Sequence, residues 1–158
     1  MTEPVRIGLV GYGLGGRAFH APLIASAPEL ELVGVVTTSD DRRAQLAEDH
    51  PGVAAVDSLR ALVDSGAEAV AISSTTGTHT ELTDEALSLG LHVVCDKPLA
   101  VDAASGRATV ALAERLGLLL TAYQNRRWDS DFLTIKRLLA EQVAFVTPYV
   151  ATLLVLSL

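Results

Sequence analysis

Short apolar runs and stretches of helical periodicity alternate along most of the chain. The apolar runs predict six strands, at residues 5–10, 30–36, 53–56, 69–73, 91–95 and 118–123. The remaining stretches predict six helices, at about residues 15–27, 40–49, 58–65, 78–89, 102–116 and 129–141. Runs that are apolar on both faces and joined by helices are typical of a parallel sheet covered on both sides. The pattern therefore predicts an α/β fold with a doubly wound parallel sheet in the strand order 3-2-1-4-5-6.

Polar and glycine residues mark the ends of several of these helices. Ser39 or Asp40 is the expected N-cap of the second helix. Residues 78–81 read THTE, which is the spacing of a capping box at the start of the fourth helix. Asp102 is the expected N-cap of the fifth helix, and Gly117 is its expected stop.

A glycine-rich turn, GYGLGG, follows the first predicted strand and opens the first predicted helix. In a dinucleotide-binding turn Gly11 permits the tight bend, Gly13 lets the backbone approach a pyrophosphate, and Gly16 lets helix and strand pack closely. The helix N-terminus offers N–H groups and a partial positive charge to phosphates. The turn thus predicts a Rossmann fold whose dinucleotide contacts include Gly11, Gly13, Leu14 and Gly16. A glycine-rich turn without a ligand is the alternative.

The segment after the second strand reads VTTSDDRR and bears on the choice of cofactor. NAD-binding turns carry an acid here for the ribose 2′-hydroxyl. Hydroxyl residues occupy that place instead, and Thr38 and Ser39 with Arg42 or Arg43 can receive a 2′-phosphate. This composition favours NADP slightly over NAD. Asp40 as the ribose acid, or two arginines that are merely solvated, are the alternatives.

A lysine follows the fifth strand, in the segment Cys95-Asp96-Lys97-Pro98. In open α/β sheets, ligands bind beyond the carboxyl ends of the strands. An ammonium group there can hydrogen-bond a substrate hydroxyl, polarise a developing carbonyl or shuttle a proton. Pro98 restricts the backbone of Lys97 and helps to hold its direction. A surface lysine before a turn is the alternative.

Several motifs that are weak alone occur here in one order. They are the glycine turn, FHAPL at 19–23, TH at 78–79, CDKP at 95–98 and YQNRRWD at 123–129. Together they resemble the Gfo/Idh/MocA family of NAD(P)-dependent oxidoreductases, the sugar and polyol dehydrogenases, over roughly residues 4–140. The resemblance implies hydride transfer between a nicotinamide and a hydroxyl-bearing carbon of a sugar, a cyclitol or a related small polyol.

The resemblance also implies roles for individual residues. Lys97 corresponds to the active-site lysine of the family's Glu-Lys-Pro motif, with Asp96 standing where the family usually has Glu. The segment that starts at Thr75 differs from the Pro-Asn often found there. The implied contacts with the cofactor, beyond the glycine turn, are made by Thr75, His79, Asp96, Lys97, Asn125 and Arg126. His20 is expected to pack or hydrogen-bond within the first helix.

Composition narrows the function classes. Of 158 residues, 49% are apolar and 20% charged, which suits one soluble domain. A net charge of −7 argues against nucleic acid as the main partner. The single cysteine, Cys95, excludes an intrachain disulfide and fits a reducing compartment. Neither a signal peptide nor a membrane span is recognisable, so we expect a cytoplasmic protein, and we expect no metal site.

The sequence changes character after Glu141. Residues 142–158 form an uncharged, largely apolar tail, so we divide the chain into a domain at 1–141 and a tail at 142–158. Family members continue into a second domain that the tail does not resemble, so we expect a truncated chain whose activity alone is doubtful. The tail could support self-association. A catalytically silent nucleotide-binding module is the alternative function. An S-adenosylmethionine-binding domain would leave Lys97-Pro98 and Asn125-Arg126 unexplained.

Overall fold

A computed structural model describes residues 3–141 of the chain. The strands are β1 (Val5–Val10), β2 (Leu30–Val36), β3 (Ala54–Val56), β4 (Ala69–Ile72), β5 (His92–Asp96) and β6 (Leu120–Tyr123). The helices are α1 (Ala21–Ser26), α2 (Asp40–Asp49), α3 (Leu59–Asp64), α4 (His79–Ser88), α5 (Ala103–Leu116) and α6 (Ser130–Ala140). A π-helical turn, Gly16–His20, leads into α1, and 3-10 turns occupy Thr76–Thr78 and Asn125–Trp128.

The strands form one six-stranded sheet in the order β3-β2-β1-β4-β5-β6, as predicted. The pairs β1–β2, β1–β4, β2–β3 and β4–β5 are all parallel. The chain winds outward in one direction from β1 to β3 and in the other from β4 to β6. The order therefore reverses between β1 and β4, and a crevice opens beyond the carboxyl ends of the strands at that point.

Both faces of the sheet are covered, which explains why its strands are apolar at successive positions. Leu9 and Val10 are neighbours in β1, and both are buried, on opposite faces. Leu9 belongs to a core cluster with Tyr12 and Leu46, whereas Val10 belongs to the cluster that contains Leu62. Helices on each side exclude water from both clusters.

Residues at the end of β5 are packed into this core. Cys95 is fully buried, and burial raises the pKa of its thiol to about 11. The side chain of the next residue, Asp96, is about one quarter exposed at the carboxyl edge of the sheet. The boundary between core and crevice therefore falls between these two residues.

Helix α5 begins and ends as predicted. The carboxylate of Asp102 accepts hydrogen bonds from the N–H groups of Ala104 and Ser105, at 2.8 and 2.9 Å. Gly117 follows the helix with a left-handed backbone, φ +67°. The N-cap of α2 is Ser39, one of the two residues expected there.

The predicted capping box of α4 is wrong. The 3-10 turn Thr76–Thr78 precedes the helix, and Thr78 has a helical backbone and makes no side-chain capping bond. Its hydroxyl instead donates to the carbonyl oxygen of Thr75 and lies 2.9 Å from the hydroxyl of Ser74. Local turn contacts thus take the hydroxyl that the sequence pattern assigns to the helix.

The chain divides into two compact units, one that ends at Ala122 and one that begins at Tyr123. In the described residues the second unit consists of the turn Asn125–Trp128 and α6. The expected tail at 142–158 lies outside the described residues, so the division after residue 141 stays a prediction. None of the helices in the described part of the chain is both long and apolar enough to cross a bilayer.

Replacing Gly11 by alanine should destabilise the fold strongly, whereas Gly77→Ala should not. Gly11 has φ +93°, and a methyl group there would overlap the carbonyl oxygen of Ser73, a backbone atom. The left-handed backbone alone costs about 1–2 kcal/mol in a non-glycine residue, and the overlap adds to it. At Gly77, no atom of the described residues outside its immediate chain neighbours lies within 4 Å of an added methyl group.

Urea unfolding followed by circular dichroism measures both variants against the parent protein. Gly77→Ala should remain within about 0.5 kcal/mol of the parent protein, as surface substitutions usually do. Equal unfolding midpoints for the two variants would show that the close approach of the first turn to β4 does not constrain the fold.

Candidate functional site

The glycine turn joins the end of β1 to its two neighbouring strands. The N–H of Gly11 donates to the carbonyl oxygen of Val36, at the end of β2, over 3.0 Å. The N–H of Ser73, just after β4, donates to the carbonyl oxygen of Val10 over 2.8 Å. The turn is therefore held at the carboxyl edge of the sheet, where the strand order reverses.

Two glycines of the turn meet backbone atoms closely, and a third meets a side chain. A methyl group on Gly11 would overlap the Ser73 carbonyl oxygen, and one on Gly16 would overlap the Gly11 carbonyl oxygen. A methyl group on Gly15 would overlap the Ser73 hydroxyl. The first helix can approach the sheet this closely only because these side chains are absent.

Gly13 differs from the other glycines of the turn. Within residues 3–141, the only atoms within 4 Å of the position of an added methyl group belong to the guanidinium of Arg42, with Nη2 at 3.7 Å. The fold itself therefore does not require glycine at this position, and the surface of the turn is open there. Leu14, the next residue, is 81% exposed. The described residues therefore leave space for a ligand beside the backbone of Gly13, next to the exposed side chain of Leu14.

The backbone beyond Gly13 has hydrogen-bonding capacity to offer such a ligand. The N–H of Arg17 donates to the carbonyl oxygen of Gly13 over 2.8 Å, which closes the first helical turn. The N–H groups within a first helical turn have no acceptor in their own helix. Together with the partial positive charge of the helix N-terminus, they suit an anion such as a pyrophosphate.

The segment between β2 and α2 lies at the same edge of the sheet. Strand β2 ends at Val36, as predicted, and Asp40 is the first residue of α2. Thr38 is exposed, and the side chain of Ser39 accepts a hydrogen bond from the N–H of Arg42. The alternative in which Asp40 serves as a ribose acid required a longer strand than the one observed.

The two arginines of α2 have different surroundings. Arg42 is exposed and directs its guanidinium towards the open side of Gly13. Arg43 instead forms a salt bridge with Asp57 and donates to the carbonyl oxygen of Ala55 over 3.4 Å. Sequence alone could not separate them, and the structure leaves Arg42 as the arginine that faces the glycine turn.

The carboxylate of Asp96 lies beside the glycine turn and is held by two side chains. His20 Nε2 donates to Oδ1 over 2.8 Å, and the hydroxyl of Ser73 donates to Oδ2 over 2.7 Å. Partial burial raises the pKa of Asp96, but the hydrogen bonds from His20 and Ser73 outweigh it and lower the pKa below its ordinary value. His20 was expected to pack or hydrogen-bond within the first helix, and the structure shows it hydrogen-bonded to a residue on β5 instead.

This cluster was missed by sequence reasoning, although one signal for it exists. Ser73 directly follows β4, and Asp96 is the last residue of the adjacent strand β5. Residues that end adjacent parallel strands meet at the same edge of the sheet, so this pair could have been predicted. His20 could not, because its contact depends on how the first helix packs across the sheet.

Lys97 is exposed and follows Asp96 directly. On its other side, the carbonyl oxygen of Pro98 lies 2.8 Å from Nδ1 of His79. His79 is only 1% exposed, and its Nε2 lies 3.2 Å from the carbonyl oxygen of Ser74. The two residues that flank Lys97 are thus held by two different buried histidines, Asp96 by His20 and Pro98 by His79. His79 contacts the backbone on both sides of the crevice edge, and its implied contact with the cofactor stays a prediction.

The remaining candidate residues fall in two places. Thr75 is exposed and precedes the 3-10 turn after β4, at the edge that carries the glycine turn. Asn125 and Arg126 belong to the second unit, where Nη1 of Arg126 donates to Asp129 over 2.7 Å. Their contribution to the site stays a prediction. Among residues 3–141, no group of three or more His, Cys, Asp or Glu side chains is arranged to hold a metal ion.

Comparison with known proteins agrees with this arrangement. The sequence model of the Gfo/Idh/MocA family, described as an oxidoreductase family with an NAD-binding Rossmann fold, matches residues 5–124. The uncharacterized oxidoreductase YdgJ of Escherichia coli (strain K12) is 44% identical over 144 residues, covering 90% of this chain and 41% of YdgJ. The scyllo-inositol 2-dehydrogenase (NADP(+)) IolW of Bacillus subtilis (strain 168) is 36% identical over 141 residues, covering 89% of this chain and 38% of IolW.

Solved structures give the same result. YPO2259 of Yersinia pestis is similar with a TM-score of 0.83 and 40% sequence identity, covering 89% of this chain and 40% of that one. The chain thus spans about two fifths of the length of the relatives it matches. The family match includes the glycine turn, the segment after β2 and the segment Asp96-Lys97-Pro98. The chain therefore belongs to the Gfo/Idh/MocA family of oxidoreductases, through its NAD-binding Rossmann fold.

Proposed function

We propose that this chain binds NADP at the carboxyl edge of its sheet and that Lys97 serves there in the oxidation of a small polyol. The observation that carries the cofactor part is Gly13. Among the described residues, only the guanidinium of Arg42 comes within 4 Å of the position that a side chain at Gly13 would occupy. A pyrophosphate can therefore lie against the turn, with Arg42 next to it.

The preference for NADP over NAD rests on charge. A 2′-phosphate adds negative charge that an arginine can neutralise through charge-assisted hydrogen bonds. Arg42 faces the turn, and Thr38 and Ser39 add hydroxyl groups between β2 and α2. Asp40 is the first residue of α2, whereas a ribose acid is expected at the end of the second strand, which ends at Val36. The NADP(+)-dependent name of IolW supports the same choice.

The substrate class is proposed from the relatives and from the chemistry of lysine. IolW is named for scyllo-inositol, a cyclic polyol. An exposed ammonium can hydrogen-bond one hydroxyl oxygen of such a ring. Because Lys97 stands between two residues held by His20 and His79, its backbone has a defined direction at the edge of the crevice.

In the proposed reaction, the substrate carbon loses a hydride and its hydroxyl group loses a proton. Each of the two has its own acceptor. A bound nicotinamide supplies the hydride-accepting carbon. Lys97, in its neutral form, takes the hydroxyl proton, and in its charged form it stabilises the developing carbonyl oxygen and returns the proton in the reverse direction. Asp96 keeps its carboxylate on His20 and Ser73, so it holds the segment in place rather than exchanging the proton.

Gly13→Ala should weaken cofactor binding without weakening the fold. The added methyl group would occupy the face on which the pyrophosphate lies, whereas among the described residues, its chain neighbours aside, the nearest atom is Nη2 of Arg42 at 3.7 Å. We expect the Kd for NADPH, measured by nicotinamide fluorescence, to rise at least about tenfold, or about 1.4 kcal/mol. Unfolding by urea should match that of the parent protein. An unchanged Kd would remove the pyrophosphate from this turn.

The arginine pair provides a matched test of cofactor preference. Arg42→Met should weaken NADPH binding about tenfold or more and weaken NADH binding clearly less, since only NADPH adds a hydrogen bond from the 2′-phosphate, and a hydrogen bond to a charged group contributes about 1.5–3 kcal/mol. Arg43→Met removes the same charge but breaks the contacts with Asp57 and Ala55 instead. Calorimetric titration of both variants with both cofactors decides between them. A larger loss of NADPH affinity in Arg43→Met would identify Arg43 as the phosphate ligand.

The activity of this chain alone is doubtful, so the role of Lys97 is tested on whatever turnover the parent chain shows with NADP and scyllo- or myo-inositol, followed by the absorbance of the reduced cofactor. We expect Lys97→Met to lower kcat by about two orders of magnitude or more, the usual contribution of an acid–base group. Its effect on the Kd for NADPH should be far smaller. Lys136→Met, an exposed lysine of α6, is the matched control. Turnover that survives in Lys97→Met would assign the proton transfer to another group.

A further inference from the structure

Helix α2 carries the proposed phosphate ligand but has little apolar attachment of its own. Only Leu46 is buried among its ten residues. Its first turn is held by the Ser39 cap and by the contacts of Arg43. The orientation of the helix must therefore depend on polar contacts, including those at its far end, where Asp49 is the last residue.

Asp49 receives three hydrogen bonds from the first turn and helix. The guanidinium of Arg17 donates one hydrogen bond to each carboxylate oxygen, from Nε to Oδ2 over 2.6 Å and from Nη2 to Oδ1 over 3.0 Å. The hydroxyl of Tyr12 donates to Oδ2 over 2.9 Å. Tyr12 is the residue between Gly11 and Gly13 in the glycine turn. The end of α2 is thus bonded directly to the segment that faces the pyrophosphate.

The environment of each group favours these bonds. Tyr12 is 1% exposed, in a core cluster with Leu9 and Leu46, so its ring has little freedom and only its hydroxyl reaches Asp49. Burial, and then the bond to Asp49, raises the pKa of Tyr12 to about 12, so the hydroxyl keeps its proton. Hydrogen bonds from Arg17 and then Tyr12 lower the pKa of Asp49.

Asp49 stands at the C-terminal end of α2, which is an electrostatically unfavourable position for a carboxylate, because that end already carries partial negative charge. The bonds from Arg17 and Tyr12 offset this cost. Leu46 lies four residues from Arg42, about 6 Å along the helix axis. A rotation of α2 by about 10° around Leu46 would therefore move the backbone of Arg42 by about 1 Å, enough to lengthen its hydrogen bonds to a phosphate.

We propose that Tyr12, Arg17 and Asp49 are positioning residues for the recognition of a 2′-phosphate, because they fix α2 against the glycine turn and so keep Arg42 over Gly13. This inference rests on the proposed binding of NADP. The three residues touch neither the phosphate nor the pyrophosphate in this scheme. They fix the angle between α2 and the glycine turn, which are the two elements that contact the phosphates.

The test compares two probes that differ only in the 2′-phosphate, 2′,5′-ADP and 5′-AMP, titrated calorimetrically into the full chain. Asp49→Asn should reduce the preference for 2′,5′-ADP about five- to tenfold, and Tyr12→Phe should reduce it about two- to threefold, as expected for weaker ligation of one charged group. Arg17→Lys, which retains the charge, should keep more of the preference than Arg17→Met. Affinity for 5′-AMP should change less than about twofold.

Asp64→Asn is the matched control, since Asp64 is an exposed acid that also ends a helix, α3. It makes the same change in net charge and should leave the preference intact. Variants that lose thermal stability but keep the parent preference would overturn the inference, because the cluster would then be merely structural. If the parent chain binds both probes equally, the proposal of NADP binding fails, and this inference fails with it.

Discussion

The close approach of the first helix to the ends of β1 and β4 is the constraint on which the rest of the site depends. Gly11, Gly15 and Gly16 leave no room for side chains between the turn, Ser73 and the backbone. That approach brings His20 to Asp96 and leaves the open side of Gly13 facing outward. Without it, neither the proposed phosphate site nor the contact that holds Asp96 would form at this edge of the sheet.

Polar contacts then connect the elements that end at this edge. His20 and Ser73 hold Asp96, His79 links the segments after β4 and β5, and Tyr12 with Arg17 holds the end of α2. The residues proposed to meet the ligand are mostly exposed, whereas several of those that hold them are buried. The positions of the residues at the carboxyl edge of the sheet are therefore fixed by side chains that need not contact the ligand themselves.

The sequence predicted what local signals determine. The bounds of β1, β2 and α2 agree with the prediction, because apolar runs and a serine cap define them without help from distant residues. The 3-10 turn before α4 was not predicted, since the Thr78 hydroxyl bonds within its own turn instead of capping the helix.

Features that depend on tertiary contacts could not be predicted from the sequence. The π-helical turn and the contact between His20 and Asp96, residues separated by 76 positions, depend on packing that no short motif encodes. The difference between Arg42 and Arg43 has the same origin, since the position of Asp57 on a separate segment decides it.

Because Cys95 is buried, the rate at which it is alkylated should measure how often β5 separates from its neighbouring strands. A thiol reacts as its thiolate, and this side chain is both shielded from solvent and held largely in the protonated form. Alkylating reagents should therefore reach it only when β5 separates from its neighbours, and the labelling rate then follows that local opening. Because Asp96 and Lys97 are the next two residues, a ligand that clamps this edge should slow the labelling, so occupancy can be followed without any optical change in the cofactor.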